Sequence, residues 1–137
     1  MKEIEKLKAG LEYCYDEPEV AALKTNAIRQ CRIYNAIDDE DFAAQYAQLK
    51  RMLGAVGENV WIGKTFNCDN GKNIRIGSNF TGNFNLTILD IREVTIGDNV
   101  MIGPNTLITT VNHPLDPVGR RKHIGIAKPV VIGDDVW

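Results

Sequence analysis

With 137 residues and a formal charge of −2, the chain has room for one domain with a buried core. It offers neither the basic face that nucleic acid requires nor a polybasic membrane anchor. No apolar run approaches the roughly 18 residues of a membrane-spanning helix, and Met1–Gly10 is a charged amphipathic stretch rather than the apolar core of a signal peptide.

Up to about Gly54 the pattern is helical. Pro18 is placed to open a helix, in which Val20, Leu23, Ala27, Cys31 and Tyr34 recur at spacings of three and four. A second helix takes Asp38 or Asp39 as N-cap, carries the stripe Phe42, Tyr46, Leu49 and Leu53, and stops at Gly54. Two short amphipathic helices need an apolar surface to dock on. The chain from about Val56 offers one, so a helical segment 1–55 followed by a β-rich segment 56–137 is the expected division. Cys14, Cys31 and Cys68 are odd in number and free of any Cys-x-x-Cys pair. They read as reduced, core-filling cysteines of a cytoplasmic protein.

Beyond Val56 one motif recurs: an aliphatic residue, any residue, then Ile-Gly. It occurs at Val60-Trp61-Ile62-Gly63, Ile74-Arg75-Ile76-Gly77, Val94-Thr95-Ile96-Gly97, Val100-Met101-Ile102-Gly103 and Val130-Val131-Ile132-Gly133. Isoleucines at 96, 102 and 108 fall on every sixth residue, a period foreign to a helix or to a simple sheet alternation. It fits a solenoid whose short strands each point one residue inward and then turn a corner, with Ile62, Ile76, Ile96, Ile102, Ile108 and Ile132 inside. Glycine suits such a corner because it accepts φ > 0. At roughly 18 residues per coil there is room for three to four coils. The repeats break twice. Asn79–Asp90 is rich in asparagine, which tolerates turns and can still follow a coil. Residues 112–128 have no repeat, carry both histidines, and form an excursion of the kind that is functional or disordered.

At these residues the chain resembles a known family. The matching stretches are Ala-Gly…Tyr-Asp-Glu-Pro-Glu (9–19), Gly-Lys-Asn-Ile-Arg-Ile-Gly (71–77), Gly-Asn-Phe-Asn-Leu-Thr-Ile-Leu-Asp (82–90) and Val-Thr-Ile-Gly-Asp-Asn-Val-Met-Ile-Gly-Pro-Asn (94–105). To them are added His-Pro-Leu-Asp-Pro (113–117) and Lys-Pro-Val-Val-Ile-Gly-Asp-Asp-Val-Trp (128–137). Together they resemble the maltose and galactoside O-acetyltransferases of the hexapeptide-repeat acyltransferase superfamily. The resemblance implies a mainly β chain, a left-handed parallel β-helix of three short strands per coil preceded by short α-helices. It also implies a homotrimer with active sites between subunits, acetyl-CoA as co-substrate, and a sugar acceptor such as maltose, glucose or a galactoside.

Acetyl transfer from a thioester to a hydroxyl needs a base that titrates near neutrality, which singles out histidine. By match to the family motif that base is His113, whose loop Pro114 and Pro117 stiffen. His123 sits among Arg120, Arg121 and Lys122 and reads as solvated. Asn83 matches a position at the acetyl-transfer site, contacting acceptor, cofactor or the developing oxyanion. Asp69 and Asp16 match positions lining the acceptor pocket, with Glu17 an alternative to Asp16. The family commonly has two consecutive acids after the Asn-Leu strand, whereas here Ile91 follows Asp90. The resemblance also implies Trp137 as a cofactor-binding residue, beside a coenzyme A groove that the further coils of relatives largely supply. Because relatives run on through further coils, the chain reads as a fragment with an incomplete β-helix. A non-catalytic trimeric scaffold or an inactive fragment is therefore the alternative reading. A zinc hydratase of the same repeat fold needs three histidine ligands, and the chain has two histidines.

Overall fold

A computed structural model describes residues 1–137. The elements run α1 (Glu3–Lys8), β1 (Tyr13–Cys14), α2 (Pro18–Ala36), α3 (Phe42–Met52), β2 (Ala55–Val56), β3 (Val60–Ile62), β4 (Phe66–Cys68), β5 (Ile74–Ile76), β6 (Phe80–Gly82), β7 (Leu86–Leu89), β8 (Val94–Ile96), β9 (Met101–Ile102), β10 (Leu107–Thr109), β11 (Val111–Asn112), α4 (Pro117–Arg121), β12 (Ile124–Ala127) and β13 (Val130–Ile132). Three parallel sheets, β13-β8-β5-β2, β3-β6-β9 and β10-β7-β4, form the faces of a β-helix.

Phe66 pairs with Leu86, Ile74 with Val94 and Thr81 with Met101, so one coil takes 20 residues rather than the 18 expected. The difference lies at one corner. Inward residues step by six from Ile62 to Cys68 but by eight from Cys68 to Ile76, and that longer corner carries Asp69. The asparagine-rich stretch 79–90 keeps the coil, supplying β6 and β7. Strands β3, β4, β5, β6 and β8 alternate buried, open, buried. Ile62, Ile76, Ile96 and Ile108 are buried, while Ile102 and Ile132 are partly buried against the same core.

The corner glycines do a different job from the one expected. None of Gly63, Gly77, Gly97, Gly103 and Gly133 has a positive φ. The left-handed residue comes two positions after the glycine: Asn79 (φ 59°), Asn99 (58°), Asn105 (59°) and Asp135 (58°). Asparagine and aspartate are among the few side chains that tolerate that region. Glycine is needed for close approach of coils, since a Cβ on Gly77 would lie 2.3 Å from Asp98 Oδ1 and 2.7 Å from the Gly97 carbonyl oxygen. The asparagines then stack into a ladder. Asn59 Nδ2 donates to Asn79 Oδ1 (2.8 Å), Asn79 to Asn99 (3.0 Å) and Asn99 to Asp135 (3.1 Å).

Helices α2 and α3 close the open end of the first coil. The Tyr34 hydroxyl donates to the Ile62 carbonyl (2.6 Å), Tyr46 donates to that of Gly57 (2.7 Å), and the Asn35 amide both donates to and accepts from the Phe66 backbone (3.0 Å each). These bonds satisfy strand-edge groups that would otherwise invite pairing with another chain. Glu17 caps α2, accepting from the N–H groups of Glu19 and Val20, with Pro18 in the first turn. The cap of α3 is Asp41, not Asp38 or Asp39; Asp38 instead accepts from the Glu40 N–H (2.8 Å) in the preceding turn. Phe42 accordingly sits outside the core, 61% exposed, and α3 buries Gln45, Gln48, Leu49 and Met52. Cys31 and Cys68 fill the core with their sulfurs 3.5 Å apart. Cys14 does not; it is half-buried and its thiol meets Asp16 (2.9 Å).

The excursion is ordered. β12 pairs antiparallel with β11 and with the N-terminal β1, through Val111–Ala127 and Tyr13–Gly125. Asp116 caps α4, and a small second core of Leu7, Tyr13, Val20, Ile91 and Ala127 holds this arm to the coils. Gly125 is required there, because a Cβ would meet the Tyr13 ring at 2.9 Å.

Candidate active site

A cleft of about 560 Å³ opens where α2, the turn after β1, the long coil corner and the base of the arm meet. Tyr15, Asp16, Lys24, Asp69, Ile91 and His113 are among its lining residues. His113 follows β11, and its exposed ring is oriented by a 2.9 Å contact from Nδ1 to the Ile124 carbonyl oxygen. A carbonyl only accepts, so Nδ1 is the donor here, and in the neutral ring Nε2 keeps its lone pair. That is the tautomer of a base. Tyr15 lies edge-on to His113, with ring centroids 5.5 Å apart.

Two carboxylates share the cleft. Asp16 accepts from the Cys14 thiol and from His123 Nδ1, and these bonds, the thiol's first, hold its carboxyl below the usual range. Glu17, the sequence alternative, is committed to capping α2 and does not line the cleft. Asp69 is nearly buried, which pushes its carboxyl up, while Lys24 at 3.7 Å pulls the other way. Behind it, Asp90 is fully buried. Its carboxylate accepts from the backbone N–H groups of Asp69 (3.0 Å), Asn70 (2.9 Å) and Gly71 (2.7 Å). Burial lifts Asp90 to about 6 against the pull of these donors. Asp90 therefore builds the corner that presents Asp69, and Ile91 packs into the second core while bordering the cleft.

Asn83 and Trp137 lie elsewhere in the chain. Asn83 sits at the corner between β6 and β7, where its side chain accepts from the Phe84 N–H (2.8 Å). Trp137 is 93% exposed, next to Val136, whose carbonyl accepts from the Met101 N–H (2.9 Å). The geometry of one chain thus unites His113, Asp16 and Asp69 and leaves Asn83 and Trp137 apart. One expectation is corrected. His123 is not simply solvated, since it reaches Asp16 and stacks on Tyr15 at 5.1 Å. Arg120, on the exposed loop face, donates from its guanidinium to the Pro114 carbonyl (3.1 Å). Sequence reasoning also missed Tyr15 and Lys24 as cleft residues; Tyr15 lies inside the Tyr-Asp-Glu-Pro motif, the one signal that pointed at it.

The arrangement offers a histidine of fixed tautomer, two carboxylates to receive hydroxyl groups, an aromatic ring and an apolar wall. Residues 6–57 match the maltose acetyltransferase hexapeptide capping motif, the segment that closes the first coil. Nodulation protein L of Rhizobium meliloti is 39% identical over 133 residues, covering 97% of this chain and 73% of that protein. A solved maltose O-acetyltransferase of Clostridium difficile 630 superposes with a TM-score of 0.95 at 33% identity, covering all of this chain and 73% of the other. A galactoside acetyltransferase solved in complex with coenzyme A superposes at 0.94 and 32% identity, covering 100% and 68%.

Proposed function

Because this chain belongs to the maltose and galactoside O-acetyltransferase family of left-handed hexapeptide-repeat β-helices, we propose that it transfers an acetyl group from acetyl-CoA to a sugar hydroxyl, with His113 as general base. The observation that carries this reading is the His113 ring, held through Nδ1 by Ile124 in one cleft with Asp16 and Asp69. Nε2 takes the acceptor hydroxyl proton as its oxygen attacks the thioester carbonyl. A tetrahedral oxyanion forms and collapses, expelling the coenzyme A thiolate, and the imidazolium returns the proton to that sulfur. Asp16 and Asp69 accept hydrogen bonds from the hydroxyls that are not reacting.

Asn83, set at another corner of the β-helix, reaches the reacting carbonyl from a neighbouring subunit, so that the working unit is a homotrimer with shared sites. Its amide donates to the oxyanion, and Trp137 contacts the coenzyme. In this assignment 1–55 is the helical acceptor-site segment and 56–137 the β-helix. No helix is long and apolar enough to cross a membrane, and the three free cysteines suit a cytoplasmic setting.

The test is thiol release from acetyl-CoA by the full chain over a panel of maltose, glucose and galactosides. Acceptor-dependent release, with the acetyl ester found on the sugar, is expected. Release no faster with any sugar than without would overturn the reading.

A further inference from the structure

We propose that His123 is a positioning residue of the acceptor cleft, fixing Asp16 and Tyr15 in the orientation that receives the sugar. The inference rests on the acetyl-transfer reading above. It starts from a backbone anomaly. The non-glycine residues with positive φ are Asn59, Asn79, Asn85, Asn99, Asn105, Asp135 and His123 (φ 57°). Six are asparagine or aspartate at coil corners, where that conformation repeats. His123 stands alone outside the coils, in the turn between α4 and β12. Glycine or asparagine would relieve the strain there, and a strained residue beside a cleft calls for a reason in what its side chain does.

The side chain does two things. Nδ1 of His123 bonds Asp16 Oδ2, and the ring stacks on Tyr15 at 5.1 Å and 23°. The main chain adds a third tie, the Tyr15 N–H donating to the His123 carbonyl (2.9 Å). Tyr15 and Asp16 both line the cleft and His123 does not, so it acts through them. Tyr15 in turn abuts His113 at 5.5 Å. His123 thereby sets one carboxylate and one ring of the acceptor wall relative to the base. Asp16 is otherwise held on its other oxygen by the Cys14 thiol alone, and half of its side-chain surface is open to solvent. Without the imidazole the carboxylate is free to swing into water, and an acceptor must then order it on binding.

Two substitutions separate the contacts without straining the turn. His123→Gly suits φ > 0 and removes both the hydrogen bond and the stack. His123→Asn also suits φ > 0, and its Nδ2 is attached to Cγ as the imidazole Nδ1 is, so it keeps a donor for Asp16 and loses only the stack. Steady-state acetyl transfer is measured with acceptor and acetyl-CoA varied in turn, and thermal midpoints are recorded for both variants. His123→Gly is expected to raise the acceptor KM about tenfold, the worth of one hydrogen bond to a charged group. Its kcat and its KM for acetyl-CoA should stay within about twofold of the parent, a spread below what one lost hydrogen bond produces. His123→Asn should recover most of the acceptor KM. An unchanged acceptor KM in His123→Gly overturns the proposal. So does a rise in both KM values together with a lowered thermal midpoint, which is the mark of a structural part. If the parent chain transfers acetyl to no sugar, the acetyl-transfer reading itself has failed. An active parent with an indifferent His123→Gly sinks only the role of His123.

Discussion

In the stacked coils the contacts of the asparagine corner recur. Asn59, Asn79 and Asn99 donate up the same corner one coil apart, and the Ser78 and Asp98 backbone N–H groups are received by Asp98 and Asp134 in the next coil. In the arm of β11, α4 and β12 no contact occurs twice. Tyr13 against Gly125, His113 to Ile124, Arg120 to Pro114 and His123 to Asp16 are each unique. The main core unites 19 buried residues and the core beneath the arm five, so the stack carries the stability and the arm is held on by a small patch. Acceptor chemistry needs several different groups converging on one point, which a repeat cannot supply. Repetition gives the scaffold; the cleft forms where the arm and the N-terminal segment meet one coil corner.

The comparison breaks most visibly at its ends. His113→Ala is expected to lower acetyl transfer by about 10²–10⁴-fold, the usual worth of a positioned general base, while leaving the thermal midpoint within a degree or so of the parent, since an exposed ring contributes little to packing. Thiol release and a melting curve on the same sample check both halves. Turnover equal to the parent would remove His113 from the mechanism.

Within the coils the glycines give a sharper contrast at smaller amplitude. Gly77→Ala drives a Cβ against Asp98 and the Gly97 carbonyl in the next coil and is expected to cost about 1–3 kcal/mol, as overpacking does. Gly103→Ala, with no atom within 4 Å of its Cβ, should fall within about 0.5 kcal/mol of the parent. Denaturant unfolding measures both. Equal effects would mean that close approach of coils is not the reason for these glycines.

The same difference explains what the sequence made legible. The inward isoleucines were readable because each recurs in register, and the two-helix segment because its stripes have a helical period. The handedness came from resemblance, since a six-residue spacing is the same for either hand. Spacing also says which residues share a corner but not which of them bends, so the left-handed position was assigned to glycine when asparagine holds it. At the candidate site, motifs point to His113, Asp16 and Asp69, and the structure brings them to one cleft. The part Asp90 plays in building the Asp69 corner is not legible, because burial leaves no mark on a single residue. Tyr15, Lys24 and the reach of His123 escaped because β1, α2 and the arm meet only through tertiary pairing, and no period links them.

Amide hydrogen exchange across the whole chain tests the division between stack and arm most directly. Amides of β5, β7 and β8, at the centre of the stack, should exchange only through global unfolding, while those of β11 and β12 should open by a local route of lower free energy. Asp90 and the second core should mark the boundary. If β12 amides prove as slow as those of β7 under native conditions, the arm is part of the same cooperative unit as the coils, and the account of a rigid stack bearing a separately held site is wrong.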